Sequence, residues 1–323
     1  MKILIILTTL FSLIKNKTEE TSSYLYNSYI VYDSNTNKVL EGYSYKNQRG
    51  VASISKIMTA VLAIESGMLE NFVAAPNEIK KGIGSSIYME EGEVNSIEEL
   101  VYGLMLRSGN DCAITIAYAV SGNIESFVNL MNQKAKEIGM KNTIFNNPSG
   151  LDEEDEGNLS TCEDMAILTS YAMKLETFRR ITSTKAYKST HHGIWVNKNK
   201  LLNQYEYAIG GKTGYTKKAR RTLVTVAKKD DTEIVVVTLD CGGDFAFHKS
   251  LYEKWFDQYK TYLLIEKGNH TISNFNIKCD EDIYASFENT ENLIIIFHIM
   301  KEEKKMLIHT NRDSIILGRC KVI

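Results

Sequence analysis

The sequence predicts an α/β (α+β) fold in which an antiparallel sheet is flanked by helices, followed by a small all-β domain. Two strand patterns, residues 26–32 and 38–45, precede a series of helical patterns, and two more, residues 222–227 and 233–239, follow them. Strands at both ends of such a region are expected to share one sheet, with the helices packed against it. From about residue 269 only short alternating strand patterns remain, which predicts the separate β domain.

The first strand pair flanks the turn-forming residues 33–37, and residues 30–32 supply the β-branched and aromatic character of strands. A helix is predicted over residues 53–65, because its apolar side chains cover nearly every face and Gly67 follows it. Since a helix that is apolar all round is buried, this helix is expected at the centre of the fold.

A second helix is predicted over residues 96–106, because an acidic residue lies three positions after the serine that begins it, as in a capping box. Residues 107–111 interrupt the helical spacing, which resumes over residues 112–120. The string Ser108-Gly109-Asn110 is therefore expected on a tight turn between helices.

The later strand pair is predicted to be a hairpin around the polar residues 228–231, and the string Lys212-Thr213-Gly214 lies shortly before it. That string is expected on a strand of the same sheet. The predicted organisation is an N-terminal segment over residues 1–23, a large domain over residues 24–264 and the small β domain over residues 265–323.

The N-terminal segment resembles a secretory signal, because a lysine precedes the apolar residues 3–14, a run too short to span a bilayer comfortably. A clear small-x-small cleavage site is lacking, so an uncleaved anchor is the alternative. A cleaved signal and an uncleaved anchor both predict an exported protein, which is secreted or held on the extracytoplasmic face of the membrane or cell wall. A buried first strand or helix is disfavoured, because the polar residues 15–23 separate this run from the next apolar one.

Composition excludes several classes of function. The 323-residue chain has a net charge of -2 and so lacks the basic excess of a nucleic-acid-binding protein. Its five cysteines lie far apart, without a CxxC pair or a histidine at metal-ligand spacing, which predicts no metal site, no cofactor and no disulfide framework. Most are expected to be buried small hydrophobic residues, with at least one free thiol. The acidic run over residues 152–156 is interpreted as a solvated loop.

Three short strings carry the candidate chemistry, and the first pairs Ser53 with Lys56. Their spacing places both side chains on one helical face. A lysine can activate a serine hydroxyl if burial and a nearby cation, here expected to be Lys212, lower its pKa and leave it neutral. The ordinary interpretation, a helix cap and a surface lysine, is disfavoured because an unpaired cation in an apolar helix is costly.

The second string supplies Ser108, which is expected to relay a proton to a leaving amine, and Asn110, whose amide is expected to hold Lys56 and the substrate backbone. The same triplet recurs at residues 121–123. The first copy is preferred because it interrupts a helix in mid-course, whereas the second only separates two helices.

The third string suits the recognition of a peptide that ends in a carboxylate. An edge strand offers backbone groups to an extended peptide, and Gly214 leaves room for its approach. Lys212 and Thr213 would supply a cation and a hydroxyl to the carboxylate. Each string alone is weak, but the three in this order indicate a serine acyl-transfer site.

These strings and their flanks resemble a low-molecular-mass penicillin-binding protein, a serine-type D-alanyl-D-alanine carboxypeptidase of the peptidase S11 kind. The resemblance implies the DD-peptidase/β-lactamase-like fold. It also implies penicillin-sensitive removal of the terminal D-alanine from peptidoglycan stem pentapeptides, with β-lactams as covalent inhibitors. The resemblance spans residues 26–262 and is strongest in residues 51–60, 84–89, 106–111, 147–152 and 211–216.

The resemblance implies a role for each matching position. Ser53 would be the acylated nucleophile, Lys56 the general base, and Ser108 with Asn110 the second catalytic element. The amides of Ser53 and Tyr215 would form an oxyanion hole. The residues that would bind substrate are Lys212, which also acts in catalysis, Thr213, Gly214, Tyr215 and Thr216.

This sequence departs from the family pattern in two places. Many relatives have a histidine where this chain has Ser149. Relatives also commonly continue into a C-terminal amphipathic helix, which is not seen here, so membrane association is expected only through the N-terminal segment. Arg220, Arg221 and His248 follow the third string and are further candidates for binding the substrate carboxylate.

Two other functions stay open. A serine β-lactamase shares the acylation chemistry, but the Glu-x-x-x-Asn-like string that class A enzymes use for deacylation does not appear, although Glu153, Glu154 and Glu156 lie in that region. A catalytically silent peptidoglycan-binding homologue is disfavoured because the nucleophile and both lysines are intact.

Overall fold

The chain forms two compact units. The larger contains Tyr24–Lys229 and Glu233–Glu253, and the smaller contains Lys254–Ile323, Asp230–Thr232 and a short N-terminal strand. The computed structural model describes residues 3–6, 26–81, 84–152, 157–272, 274–288, 294–300, 303–310 and 316–323.

The helices are numbered in chain order. They are α1 (Lys56–Glu65), α2 (Ile97–Tyr102), α3 (Asn110–Ser121), α4 (Ile124–Ile138), α5 (Cys162–Met173), α6 (Glu176–Ser183), α7 (Leu201–Gln204) and α8 (Asp244–Gln258). Two 3₁₀ turns, Ala52–Ser55 and Asn77–Lys81, and a π-helical turn, Gly103–Arg107, complete the helical structure of the described residues.

The strands are numbered in the same way. They are β1 (Ile3–Ile6), β2 (Tyr26–Asp33), β3 (Lys38–Tyr43), β4 (Arg49–Gly50), β5 (Phe72–Ala74), β6 (Val94–Ser96), β7 (Leu159–Ser160), β8 (Ala186–Lys188), β9 (Ile194–Val196), β10 (Ala208–Thr216), β11 (Arg220–Lys229), β12 (Thr232–Cys241), β13 (Tyr259–Ile265), β14 (Gly268–Ile272), β15 (Phe275–Cys279), β16 (Ile283–Glu288), β17 (Ile294–Met300), β18 (Lys305–Thr310) and β19 (Ile316–Val322).

The larger unit is built on a five-stranded sheet in the order β10-β11-β12-β2-β3. Strand β12 pairs antiparallel with β2, so that Val236 lies opposite Val31. Segments from both ends of the unit therefore share one sheet, and the predicted α/β (α+β) fold is confirmed. Strand β10, which carries Lys212-Thr213-Gly214, pairs with β11 and stands at the end of the sheet order.

Helix α1 lies in the core of the larger unit, as its apolar surface predicts. Every residue from the start of the helix to Ala63 is buried, and Ile57, Met58 and Val61 are fully excluded from solvent in the main hydrophobic cluster. Burying such side chains stabilises the fold by about 1.5 to 3 kcal/mol each. The packing fixes the first residue of α1, Lys56, in the protein interior.

The predicted helix over residues 96–106 is divided. Ser96 caps α2 as predicted, because its hydroxyl accepts the N–H of Glu99 at 3.1 Å. The Glu99 carboxylate, however, accepts the backbone N–H and the hydroxyl of Thr190, at 2.6 Å each. The helix then widens into the π-helical turn and ends at Ser108, whose φ of +65° is in the left-handed region.

The smaller unit contains a six-stranded sheet in the order β1-β17-β18-β19-β15-β14, and a two-stranded sheet of β13 and β16. These sheets confirm the predicted C-terminal β region. A disulfide joins Cys279 on β15 to Cys320 on β19. The sequence predicts no disulfide framework and does not indicate this single pair, because 41 residues separate the two cysteines and only the strand pairing brings them together. Cys112, Cys162 and Cys241 are free and buried.

The predicted export segment is described only in part. Residues 3–6 form β1, which pairs antiparallel with β17 so that Ile3 lies opposite Phe297. The other residues of the segment lie outside the described residues, so a signal or an anchor stays a prediction. None of the helices in the described ranges combines the length and the apolar character that crossing a bilayer would require.

Candidate active site

Ser53 lies on the 3₁₀ turn that precedes α1, rather than within the predicted helix. The turn is tight, since Ala52 has a φ of +49° and the Ser55 hydroxyl donates to the Ala52 carbonyl oxygen at 2.8 Å. Gly150 packs directly against it: a Cβ at this glycine would lie only 2.1 Å from the Ala52 carbonyl oxygen. The turn that carries the candidate nucleophile is thus held by a close backbone contact.

This contact predicts that Gly150→Ala both destabilises the protein and slows acylation, because the added Cβ must push the turn away. A left-handed alanine costs about 1 to 2 kcal/mol by itself, and Gly150 has a φ of +77°. The matched control is Gly139→Ala, at a φ of +91° with open space around its Cβ. Thermal denaturation and the rate of labelling by a fluorescent penicillin check the prediction. Equal labelling rates in the two variants would contradict it.

Lys56 is fully buried, and its amine lies among three oxygens. Its Nζ is 3.1 Å from Ser53 Oγ, and it donates to Asn110 Oδ1 at 2.7 Å and to the carbonyl oxygen of Ser149. A neutral amine has two N–H donors and one lone pair. With both donors used by Asn110 and Ser149, the lone pair is directed at the Ser53 hydroxyl, as a base requires.

The pKa of Lys56 matches this role. It is lowered to about 7, chiefly by burial; Cys112 and Asp111 oppose this shift, and the positive charge of Lys198 adds to it. Burial disfavours the charged form of an amine, so a substantial fraction of Lys56 is neutral near pH 7. Lys198 is a nearby cation that the sequence did not indicate, and Lys212, the cation expected from the sequence, also interacts electrostatically with Lys56.

Lys212 is also buried and holds the second serine of the site. Its Nζ donates to Ser108 Oγ at 3.0 Å and to the Thr213 carbonyl oxygen at 2.8 Å. Burial lowers the pKa of Lys212 well below its usual value, and the charges of Lys56 and Lys198 add to this effect. The left-handed backbone of Ser108 turns the chain so that Asn110 and Ser108 contact different lysines.

A cleft of about 720 Å³ opens above these groups. Ser53 and Ser108 line it from one side, and Thr213, Gly214 and Tyr215 line it from β10. Gly214 is required here, because a Cβ would lie 3.0 Å from the Ser53 nitrogen and 2.3 Å from Thr222 Oγ1. The structure therefore brings residues of all three strings to one place.

Two predicted binding residues differ in their surroundings. The Tyr215 side chain is 61% exposed at the cleft. The Thr216 hydroxyl accepts the N–H of Ala219 at 2.9 Å, within the turn between β10 and β11, and Thr216 is not among the residues that line the cleft.

Two of the further candidates for binding the substrate carboxylate, Arg221 and His248, lie in different surroundings. Arg221 lines the cleft, where its guanidinium makes a bidentate ion pair with Asp244, at 2.7 Å for the closest atoms. His248 is fully buried between Thr225 and Thr238, and burial lowers its pKa to about 3. It is a neutral core histidine, and its suggested part in carboxylate binding is not supported by this position.

Sequence reasoning missed Lys198 and Ser85, which both line the cleft. Lys198 Nζ donates to Ser85 Oγ at 3.1 Å, and burial lowers the pKa of Lys198, with Arg107 adding to the effect. Lys198 does not stand out in the sequence, since a lysine among polar residues is typical of a solvated loop, and Ser85 is marked only by its place in the family-like residues 84–89. Only the fold brings this loop to the Ser108 turn, where the Lys198 N–H donates to the Leu106 carbonyl oxygen.

The second Ser-Gly-Asn string has a structural role. Gly122, at a φ of +79°, ends α3, and Asn123 caps α4 by accepting the N–H of Ser126 at 2.8 Å. Such left-handed glycines and asparagine caps are common at helix boundaries.

Comparison with known proteins agrees with the resemblance seen in the sequence. The D-alanyl-D-alanine carboxypeptidase family matches residues 15–243. D-alanyl-D-alanine carboxypeptidase DacF of Bacillus subtilis is 33% identical over 282 residues, which cover 83% of this chain and 72% of that protein. The crystal structure of a D-alanyl-D-alanine carboxypeptidase from Mycobacterium tuberculosis is 28% identical, with a TM-score of 0.68, over 75% of this chain and 96% of that one.

The fold extends to a more distant relative. Penicillin binding protein 5 from Haemophilus influenzae is 21% identical, with a TM-score of 0.79, over 94% of this chain and 98% of that one. With the family match and the Bacillus relative, these findings identify the chain as a member of the peptidase S11 family, the D-alanyl-D-alanine carboxypeptidases.

Proposed function

We propose that this chain is a penicillin-sensitive serine D-Ala-D-Ala carboxypeptidase, which removes the terminal D-alanine from peptidoglycan stem pentapeptides through an acyl-enzyme on Ser53. The observation that carries the proposal is the 3.1 Å separation of Lys56 Nζ and Ser53 Oγ in a buried site. Residues 24–264 carry the activity, and residues 265–323 form a small β domain.

In the acylation step, Ser53 Oγ attacks the carbonyl carbon of the penultimate D-alanine while its proton passes to neutral Lys56. The amides of Ser53 and Tyr215 stabilise the oxyanion. The C–N bond then breaks, and the proton that Lys56 took passes through Ser108, held by Lys212, to the nitrogen of the departing D-alanine. Water hydrolyses the ester, which releases the shortened peptide and restores Ser53. A β-lactam acylates Ser53 in the same way and leaves a persistent ester.

The test is to incubate the purified protein with a peptide that ends in D-Ala-D-Ala and to assay free D-alanine. Release of D-alanine, together with a covalent penicillin adduct on Ser53, is expected. No release and no adduct would overturn the enzyme proposal and favour a silent peptidoglycan-binding protein. Rapid turnover of penicillin would instead indicate a β-lactamase.

Lys212 is proposed to bind the terminal carboxylate of the substrate together with Thr213. For Lys212→Ala we expect kcat/KM to fall by about 10- to 100-fold, the effect of losing one charge-assisted hydrogen bond. The variant should also discriminate less between a peptide acid and its C-terminal amide. Lys188→Ala, which removes an exposed lysine on β8, is the control. An unchanged preference for the free acid would exclude Lys212 from the carboxylate site.

The proposed place of action is outside the cytoplasm, with the N-terminal segment as a signal or an anchor. The disulfide between Cys279 and Cys320 supports this, because disulfides persist in oxidising compartments. Cleavage near residue 23 would remove β1 and leave β17 at the edge of its sheet. A mass spectrum of the mature protein distinguishes a cleaved signal from a retained anchor that would hold the protein at the membrane. Recovery of the full-length chain from the cytoplasm alone would contradict both.

A further inference from the structure

The Asp111 carboxylate is a buried acidic group that the mechanism above does not use. It is 3% exposed and follows Asn110 in the first turn of α3. Its oxygens accept the backbone N–H groups of Ile87 at 3.1 Å and of Met89 at 3.2 Å, and also the Ser86 hydroxyl. One side chain thus binds three donors of a single segment, residues 85–89.

That segment reaches the active site through Ser85. The Ser85 carbonyl oxygen accepts the Asn110 N–H at 2.8 Å, and the Ser85 hydroxyl accepts Lys198 Nζ at 3.1 Å in the cleft. Asn110 in turn holds Lys56. Asp111 therefore lies where the segment joins the start of α3, one residue from the amide that orients the base.

The backbone of the segment is strained. Tyr88 has a φ of +68° and its side chain is exposed, and the residues on either side of it, Ile87 and Met89, both donate to Asp111. A left-handed residue with a Cβ costs about 1 to 2 kcal/mol and persists only where its surroundings determine it. The hydrogen bonds that Ile87 and Met89 donate to Asp111 hold the Tyr88 backbone in this conformation.

We propose that Asp111 is a positioning residue, which clamps residues 85–89 onto the start of α3 so that Asn110 stays on Lys56 and Ser85 stays on Lys198. This rests on the proposed function, because its effect is measured on the acylation of Ser53. Asp111 is not among the described residues that line the cleft. It acts through Asn110 and Ser85.

The test compares Asp111→Asn with Asp164→Asn. Asp164 is 2% exposed, lies in the first turn of α5, and accepts the N–H of Asn142 and the hydroxyl of Thr143, at 2.7 Å each. It therefore clamps a loop in the same way, but that loop does not line the cleft, whereas the segment held by Asp111 lines it through Ser85. Asparagine replaces one accepting oxygen of the carboxylate by an NH₂ group, which cannot accept a hydrogen bond from an N–H or O–H donor. Both variants therefore lose hydrogen bonds and should have a lower melting temperature.

Only Asp111→Asn should slow the single-turnover labelling of Ser53 by penicillin, by about 10- to 100-fold, since small displacements of catalytic groups have effects of this size. Ser86→Ala removes only one of the contacts and should slow labelling less, and it serves as the test if Asp111→Asn does not fold. Labelling at the wild-type rate in Asp111→Asn, or in Ser86→Ala where that variant is used, would overturn the proposal.

The pH profile separates positioning from stability. The charged or titratable groups that act on Lys56 are Asp111, Lys198, Lys212 and Cys112, and burial keeps the Cys112 thiol neutral by raising its pKa. Removing the negative charge of Asp111 lowers the pKa of Lys56, so the midpoint of the acylation profile should move to lower pH. A slower rate with an unmoved midpoint would indicate a purely structural role for Asp111 and would overturn the proposal. An unlabelled, inactive wild-type protein would instead refute the proposed function itself.

Discussion

Replacing Ser53 by alanine is expected to abolish the covalent penicillin adduct and to reduce D-alanine release to background. The loss should be on the order of 10⁶-fold in kcat, the scale seen when the nucleophile of a serine hydrolase is removed. The reason is that Ser53 is the cleft hydroxyl that contacts Lys56, at 3.1 Å, whereas the other cleft serine beside a buried amine, Ser108, is held by Lys212 at 3.0 Å. Intact-protein mass spectrometry after exposure to penicillin gives a direct readout.

A control distinguishes loss of the nucleophile from loss of structure. Ser66 follows the other end of α1, where its hydroxyl donates to the Ala63 carbonyl oxygen at 2.7 Å and accepts the Met68 N–H at 3.2 Å, so Ser66→Ala removes local hydrogen bonds away from the cleft. Ser66→Ala should keep full labelling. Ser53→Ala should keep the wild-type melting temperature within about 1 °C, because the hydroxyl is partly exposed and its loss opens little space. An adduct that still forms on Ser53→Ala would place the nucleophile elsewhere.

Much of the fold follows from local patterns in the sequence. The strands β2, β3, β11 and β12 and the helix α1 have periodicities that arise from burial on one face or on all faces, and this is why they were predicted. Ser53 and Lys56 were found for a similar reason, since a spacing of three residues brings two side chains together on any helical turn. The structure has a 3₁₀ turn at Ser53 instead of the predicted α-helix, and the two side chains still lie close together.

What the sequence did not predict depends on long-range contacts. The shape of the Ser53 turn needs Gly150, about one hundred residues away in the chain, pressed against the Ala52 carbonyl. Lys198 joins the site because its loop packs on the Ser108 turn. The disulfide of Cys279 and Cys320 depends on the register of two strands. No local pattern carries such information, because the free energy comes from groups that meet only in the folded chain.

His248 illustrates the opposite error. A histidine after the third string looked like a ligand for a carboxylate, yet it lies on the buried side of α8, with its ring between Thr225 of β11 and Thr238 of β12. A single histidine has no local signature that separates a satisfied core position from a binding position. Arg221, in the same stretch of chain, reaches the cleft.

Lys56→Ala is expected to slow acylation by about 10²- to 10⁴-fold, the usual contribution of a general base. In the wild-type protein only the neutral amine accepts the Ser53 proton, and the pKa of Lys56 is about 7. The acylation rate should therefore rise with pH through about 7 and level off above it. In Lys56→Ala the same pH range should give a flat profile. Stopped-flow labelling with a fluorescent penicillin between pH 5 and 9 measures both.

Small primary amines provide the sharper test of the same assignment. Lys56→Ala leaves Asn110 Oδ1 and the Ser149 carbonyl oxygen facing the space of the missing amine, so an added alkylamine should be held there by the same two acceptors. Acylation should then recover in proportion to the neutral fraction of the amine, and the pH midpoint should follow the amine's pKa rather than about 7. The larger isosteric variant Lys56→Met fills that space and should not recover. Near-normal labelling of Lys56→Ala without added amine would mean that Ser53 is activated by another group, and the amine of Lys212, which holds Ser108, would be the next to test.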